Sequence, residues 1–413
     1  MHDLRRGPPI VSVRHSASGV TPMAQDAQRE PDALPSGFRV LQVTPRLEGG
    51  GVERATLDIS AAIVAAGGVS YVATEGGRLE SDLKAHGGQA VRLPVASKNP
   101  MTIWANGRRL KGLIQTLGID LVHVRSRAPA WSAVWAARQT GVPVVSTYHG
   151  IYSARSRLKR AYNALMTRAD LVMANSRFTR DHVREQHGVP SERLRLVPEG
   201  IDITRFDRGA VAPARVHRLR SQWGLRGDNR RLVLLPARLT RWKGQLMMIE
   251  AFAKAQAEGL VLVLAGDHQG RDGYRDEIEA AIAERGLGDQ VRLVGEVDDM
   301  PAAYLAADLV VTPSIRPESF GRTAVEAQLM GRPVLAADHG AARETVSCGR
   351  TGFLVPPGDV DAWTGRLIEI SDWSTDRLED LGHTARRRAR RRFSLEAMSR
   401  ATFRTYARAI PER

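Results

Sequence analysis

The chain has 413 residues, 43% hydrophobic and 25% charged, with a formal net charge of +15. That length exceeds one ordinary core and predicts two domains, while the composition excludes a largely disordered chain and the strand-length apolar runs exclude bilayer spans. The lone cysteine, Cys348, excludes an intramolecular disulfide and fits a reducing compartment.

The positive charge calls for an acidic partner. Aromatic residues make up 5% of the chain and none interleaves with the densest basic run, residues 386–392, which argues against nucleic acid. The run reads either as a solvated helix face or as a peripheral contact with an anionic membrane, where each Lys or Arg near the surface contributes about 1 kcal/mol.

Residues 1–36 carry Arg5 and Arg6 but no apolar core of signal-peptide length, and are rich in Pro, Ser, Gln and Ala. They predict a disordered leader rather than a signal peptide. From residue 38 onward, short apolar runs at 38–44, 69–74, 90–94, 121–124, 142–147, 171–174 and 194–198 alternate with helical patterns. A second series starts at 231–236 and continues at 260–265, 290–295, 309–313 and 333–336, with helices expected over 244–258, 274–285 and 323–330. Such alternation is the signature of βα units and parallel sheets. The stretch 202–229 has little periodicity and reads as the linker. The boundaries that follow are an N-terminal Rossmann-like domain over 37–203, a C-terminal one over 204–385, and a basic helix over 386–413 that crosses back to the N-terminal domain. Trp363, Leu367, Ile370, Leu378 and Leu381 recur at helical spacing and predict packing against the second sheet.

Several loops at the carboxyl ends of these strands carry chemistry. Gly49, Gly50 and Gly51 join the first strand to its helix, but no glycine follows three residues after Gly51, so the dinucleotide pattern is incomplete. Arg125 and Arg127, on a segment that also holds Trp131, read either as contacts to an anionic acceptor or as a solvated loop; Lys98-Asn99-Pro100 is similar. His149 ends a buried strand and is followed by Gly150, which places it in the cleft or in the core. Arg238 and Lys243, five residues apart after residue 236, can bracket a diphosphate. The segment Pro317–Ala327 feeds a helix whose first-turn amides, at Gly321, Arg322 and Thr323, attract phosphate. Glu318 lies in the loop, within reach of sugar hydroxyls, and Glu326 lies one turn into the helix, where a carboxylate can accept from two vicinal hydroxyls. Asp359-Val360-Asp361 precedes a helix and reads as an N-cap rather than a metal site.

Glu318 and Glu326, with Ser319-Phe320-Gly321 after the first, resemble the signature of retaining glycosyltransferases of family 4. The resemblance covers roughly residues 38–405 and implies the GT-B fold: α/β, two Rossmann-like domains whose parallel sheets face a central cleft. It also implies roles. Glu318 contacts the transferred sugar, Ser319, Phe320 and Gly321 surround it, Arg322 and Thr323 complete the donor loop, and Glu326 binds the ribose. Arg238 and Lys243 stabilise the leaving diphosphate, so no metal and no other cofactor is expected. Gly50 and Gly51 face the donor from across the cleft, and His149 joins Glu318 at the catalytic centre.

The hinge segment usually reads Pro-Asn-Gly-Ile-Asp, and here Glu199 replaces the asparagine. The implied activity is transfer of a sugar from a nucleoside-diphosphate sugar to a hydroxyl of a saccharide or lipid-linked cell-envelope acceptor, such as lipopolysaccharide or another surface glycan. The expected location is the cytoplasm, at the inner face of the membrane. A nucleotide-sugar epimerase or phosphorylase of the same fold, and a non-catalytic nucleotide-sugar-binding protein, are the rival readings.

Overall fold

The computed structural model describes residues 34–152 and 156–410. Residues 1–33 of the expected leader lie outside the described residues. Its last residues do not behave as a leader: Leu34 is buried in a cluster with Val40, Ile63 and Phe403, and the Gly37 amide donates to Gly67 O at 2.8 Å.

The first sheet has strands β1 (Arg39–Val43), β2 (Val69–Thr74), β3 (Gln89–Arg92), β4 (Leu121–Val124), β5 (Val144–Tyr148), β6 (Leu171–Ala174) and β7 (Leu194–Leu196). They pair in parallel in the order 3-2-1-4-5-6-7. The second has β8 (Arg231–Pro236), β9 (Leu260–Ala265), β10 (Val291–Gly295), β11 (Leu309–Thr312), β12 (Val334–Ala337) and β13 (Gly352–Val355), in the order 10-9-8-11-12-13. Central strands such as β4, β5 and β9 are buried along their whole length. Helices cover both faces of each sheet, so these strands are continuous apolar runs rather than alternating ones. In both sheets the strand order reverses beside the first strand, between β1 and β4 and between β8 and β11. Loops leaving those strands at their carboxyl ends flank the crevice where such folds bind ligands.

The basic run is not the start of a separate helix over 386–413. It ends helix Thr375–Arg392, whose Ala385 and Ala389 are buried, Ala389 with Phe393 in the core of the second domain. The chain then crosses at Phe393 and Ser394, and helix Leu395–Ala409 puts Met398, Phe403 and Tyr406 into the first domain's core beside Val40, Ile59 and Leu121. The outward crossing runs alongside: the Ile201 amide donates to Phe393 O at 2.7 Å, and Ile201 bridges Ser394. Trp363, Leu367, Ile370 and Leu378 pack on the second sheet, with Leu381 partly buried against them.

Candidate functional site

The β8 loop places its cations through one glycine. Lys243 ends a short 3-10 turn, and Gly244 follows with φ +81°, where a Cβ would stand 2.2 Å from Pro313 O. No other residue tolerates both that conformation and that contact. The glycine therefore lets the β8 and β11 loops touch, and Lys243 Nζ reaches Glu318 Oε1 at 2.7 Å. Ser314 donates to the same carboxylate oxygen.

The β11 loop ends at Gly321, also left-handed at φ +81°, which serves as N-cap of helix Arg322–Leu329 without a side-chain cap. One turn in, the Glu326 carboxylate accepts from Tyr304 Oη at 3.0 Å and from Arg322 Nε at 2.9 Å. Burial holds its pKa above the usual carboxylate range, with the Arg322 charge opposing. Thr323 is half-buried in the same first turn.

Across the cleft, His149 follows β5, and its side chain is only 6% exposed. Its backbone oxygen accepts from Ser319 Oγ at 2.8 Å and from Asn175 Nδ2 at 3.2 Å. The first bond ties the β11 loop to the opposite domain. Among the described residues neither ring nitrogen has a hydrogen-bond partner, and Nδ1 lies 3.6 Å from Glu199 Oε1. Glu199 also accepts from Asn175 Nδ2 at 2.9 Å. Burial pushes the Glu199 carboxyl up, but His149, Asn175 and the Arg322 charge together hold it below the usual range, so it is ionised.

Gly50 and Gly51 open helix Gly51–Ala65. A Cβ on Gly51 would meet nothing within 4 Å, and one on Gly50 would meet only the Glu53 side chain. Asp58, further along that helix, is pushed up to about 6 by burial, with Arg322 of the opposite domain pulling it down.

Four expected site residues sit differently from their sequence reading. Arg125 is 3% exposed and donates from Nε to Gln42 Oε1 at 2.9 Å, beneath the cleft rather than on a solvated loop. Arg127 begins helix Arg127–Thr140, donates to Asn163 Oδ1 at 2.7 Å and stacks 3.8 Å over Tyr152. Phe320 is core, 4% exposed and edge-on to Phe393, so its side chain packs into the second domain. Arg238 is exposed near Gln269 and does not close on Lys243, whose ammonium is held by Glu318. Asn99 caps helix Pro100–Leu117, accepting from the Met101 amide at 2.9 Å. Asp359 caps helix Val360–Ser371, as its position before the helix predicts.

Other residues of the site carry no local signal. Tyr304, Ser314 and Asp58 belong to no motif. Glu344 accepts from the Arg177 and Phe178 amides at 2.8 and 2.9 Å, capping a first-domain helix, Arg177–His187, from the second domain. A buried relay underlies the cleft: His123 stands 2.7 Å from both Tyr406 Oη and Thr147 Oγ1, and burial keeps it well below the usual histidine range.

Residues 49–205 match the model of Glycosyltransferase Family 4, and residues 219–388 match Glycosyl transferases group 1. The chain is 32% identical to the GDP-mannose-dependent alpha-(1-6)-phosphatidylinositol monomannoside mannosyltransferase of Mycolicibacterium smegmatis, over 71% of this chain and 78% of that one. Among curated relatives the matched share of their length runs from 61% to 78%. A glycosyltransferase structure from Rickettsia africae superposes with a TM-score of 0.85 at 29% identity, covering 91% of this chain and 99% of that one. Anabaena HepE in complex with UDP and glucose gives 0.75 at 26% identity, covering 88% and 97%.

Proposed function

The chain belongs to glycosyltransferase family 4 and has the GT-B fold, and from that premise we propose that it transfers a sugar, with retention of configuration, from a nucleoside-diphosphate sugar to a hydroxyl of a saccharide or lipid-linked cell-envelope acceptor. One observation carries this reading. Lys243 and Glu318 meet at 2.7 Å on the carboxyl edge of the second sheet, and Ser319 joins that loop to His149 on the edge of the first.

The Lys243–Glu318 pair is a placeholder for the donor. A diphosphate entering beside Lys243 replaces the carboxylate as the partner of the ammonium. Glu318, released, then accepts from the hydroxyls of the sugar. As the anomeric C–O bond breaks, the departing diphosphate oxygen gains negative charge, which Lys243 stabilises together with Arg238 and the first-turn amides of helix Arg322–Leu329. The acceptor hydroxyl adds to the same face of an oxocarbenium-like centre and gives its proton to the leaving phosphate oxygen. This cation set supports a metal-independent transfer. Glu326 takes the ribose hydroxyls in exchange for Tyr304 and Arg322, and Gly50 and Gly51 close over the phosphates from the first domain.

The net charge of +15 suits an enzyme working in the cytoplasm against the inner face of an anionic membrane. No helix among the described residues is long and apolar enough to cross one.

The test is incubation with UDP-, GDP- and ADP-sugars, with and without cell-envelope extract. Nucleoside diphosphate released only with extract, together with a product of the donor's own anomeric configuration, supports the reading. A donor epimerised without extract would make the protein an epimerase, phosphate-dependent cleavage a phosphorylase, and tight binding without turnover a nucleotide-sugar-binding protein.

A further inference from the structure

Helix Thr375–Arg392 sorts its arginines by face. Arg386 and Arg390 share Asp207, and Arg377 reaches Glu369 at 3.6 Å. Arg388 is anchored by donating to the backbone oxygens of Thr345 and Glu344, each at 2.6 Å. Arg387 and Arg391, one turn apart, are exposed and have no carboxylate within ion-pair distance among the described residues. Arg350, on the loop that enters β13, is likewise exposed and unpaired there.

These residues line one concavity of about 650 Å³, with hydroxyls from Thr384 and Thr351 and no acidic side chain in its wall. A merely solvated basic face would splay its charges into water. Here two segments far apart in sequence hold them together, because buried Ala385 and Ala389 fix the helix and Arg388 is tied to the 344–345 backbone. The Arg388 guanidinium is held below its usual range by burial, then by Arg392 and Arg350, which registers that crowding of like charge. The concavity lies at the amino end of β13, whereas the donor loops leave the carboxyl ends of β8 and β11.

We propose that this concavity is a second anion site, separate from the donor site, which binds a ligand carrying two or more clustered phosphate or phosphodiester groups. Guanidinium forks pair bidentately with phosphate oxygens, and several converging forks favour a multiply charged group over a single carboxylate. The same chemistry is offered by a free polyphosphorylated compound and by the headgroups of an anionic lipid surface. The site stands on its own geometry and does not depend on the transfer reaction.

The test uses the full chain as R238Q/K243Q, which removes two of the donor site's cations, with and without R387Q/R391Q. Inorganic tripolyphosphate is titrated calorimetrically at low salt, and vesicles of phosphatidylglycerol are compared with phosphatidylcholine by co-sedimentation. We expect R238Q/K243Q to bind tripolyphosphate or the anionic vesicles, and the added pair to weaken that binding by about tenfold or more. Both added substitutions are at exposed positions, and an unchanged melting temperature separates loss of binding from loss of fold. Binding of tripolyphosphate alone identifies a soluble ligand, and binding of vesicles alone identifies a lipid headgroup; either supports the site. Failure to bind either probe, or binding that survives R387Q/R391Q, overturns it.

Discussion

Glu199 is a buried, ionised carboxylate 3.6 Å from His149 Nδ1, at a position where the family's hinge segment carries asparagine. Under the proposed transfer reaction its role is to position His149. In Glu199→Asn we expect kcat to fall by about tenfold with the donor KM little changed. A loss of stability with the donor KM raised alongside the fall in kcat would make Glu199 a packing residue instead.

Asp58 gives a stability prediction with a definite sign. Its folded pKa rises from the ordinary 3.8 to about 6, so the native state binds more protons than the unfolded one between those values. Its contribution is present below pH 3.8 and is lost as pH rises through 6. Asp58→Asn should therefore stabilise the protein at pH 8 relative to pH 4, by about 2–3 kcal/mol at most. Urea midpoints that differ equally at both pH values would remove the cleft burial as the cause. Glu318, Glu326 and Lys243 are singled out in the sequence by local signatures. Gln42 and Tyr304 are not, because their partners, Arg125 and Glu326, meet them only through the fold.

At the scale of elements, strands read well from sequence because helices bury both faces of each sheet, leaving unbroken apolar runs such as 260–265. Helix Arg127–Thr140 was missed at its start, where Arg127 and Pro129 resemble a loop although Pro suits a helix's first turn. The C-terminal basic stretch was read as one helix because its charge is continuous up to Arg392. The break at Phe393–Ser394 depends on Ser394, whose side chain accepts from the Ala397 amide and starts the returning helix. The cross-domain cap at Glu344 is equally a product of the fold. Glu344→Ala frees the Arg177 and Phe178 amides and should cost about 1 kcal/mol of stability. It should also enlarge the radius of gyration of the nucleotide-free protein in small-angle scattering. An unchanged radius would mean that Ser319 and the two crossing segments hold the domains without it.

For the whole molecule, two sheets that share the order 3-2-1-4-5-6, the first longer by β7, present their carboxyl edges to one cleft, and the groups that meet there are of opposite charge. Lys243, Arg238 and Arg322 stand on the second-domain side together with Glu318 and Glu326, while His149 and Glu199 stand opposite. Under the proposed function a nucleotide binds by exchanging partners with these ion pairs, and each exchange shifts affinity by an amount that substitution can read. The most direct measurement is calorimetric titration of the nucleoside diphosphate of the preferred donor into the wild-type protein, Lys243→Ala and Glu326→Ala. The donor-site account predicts that the donor site loses about tenfold or more in affinity in each variant, with His149→Ala binding there as tightly as the wild type. Equal affinity in the wild type and in Lys243→Ala and Glu326→Ala would contradict it.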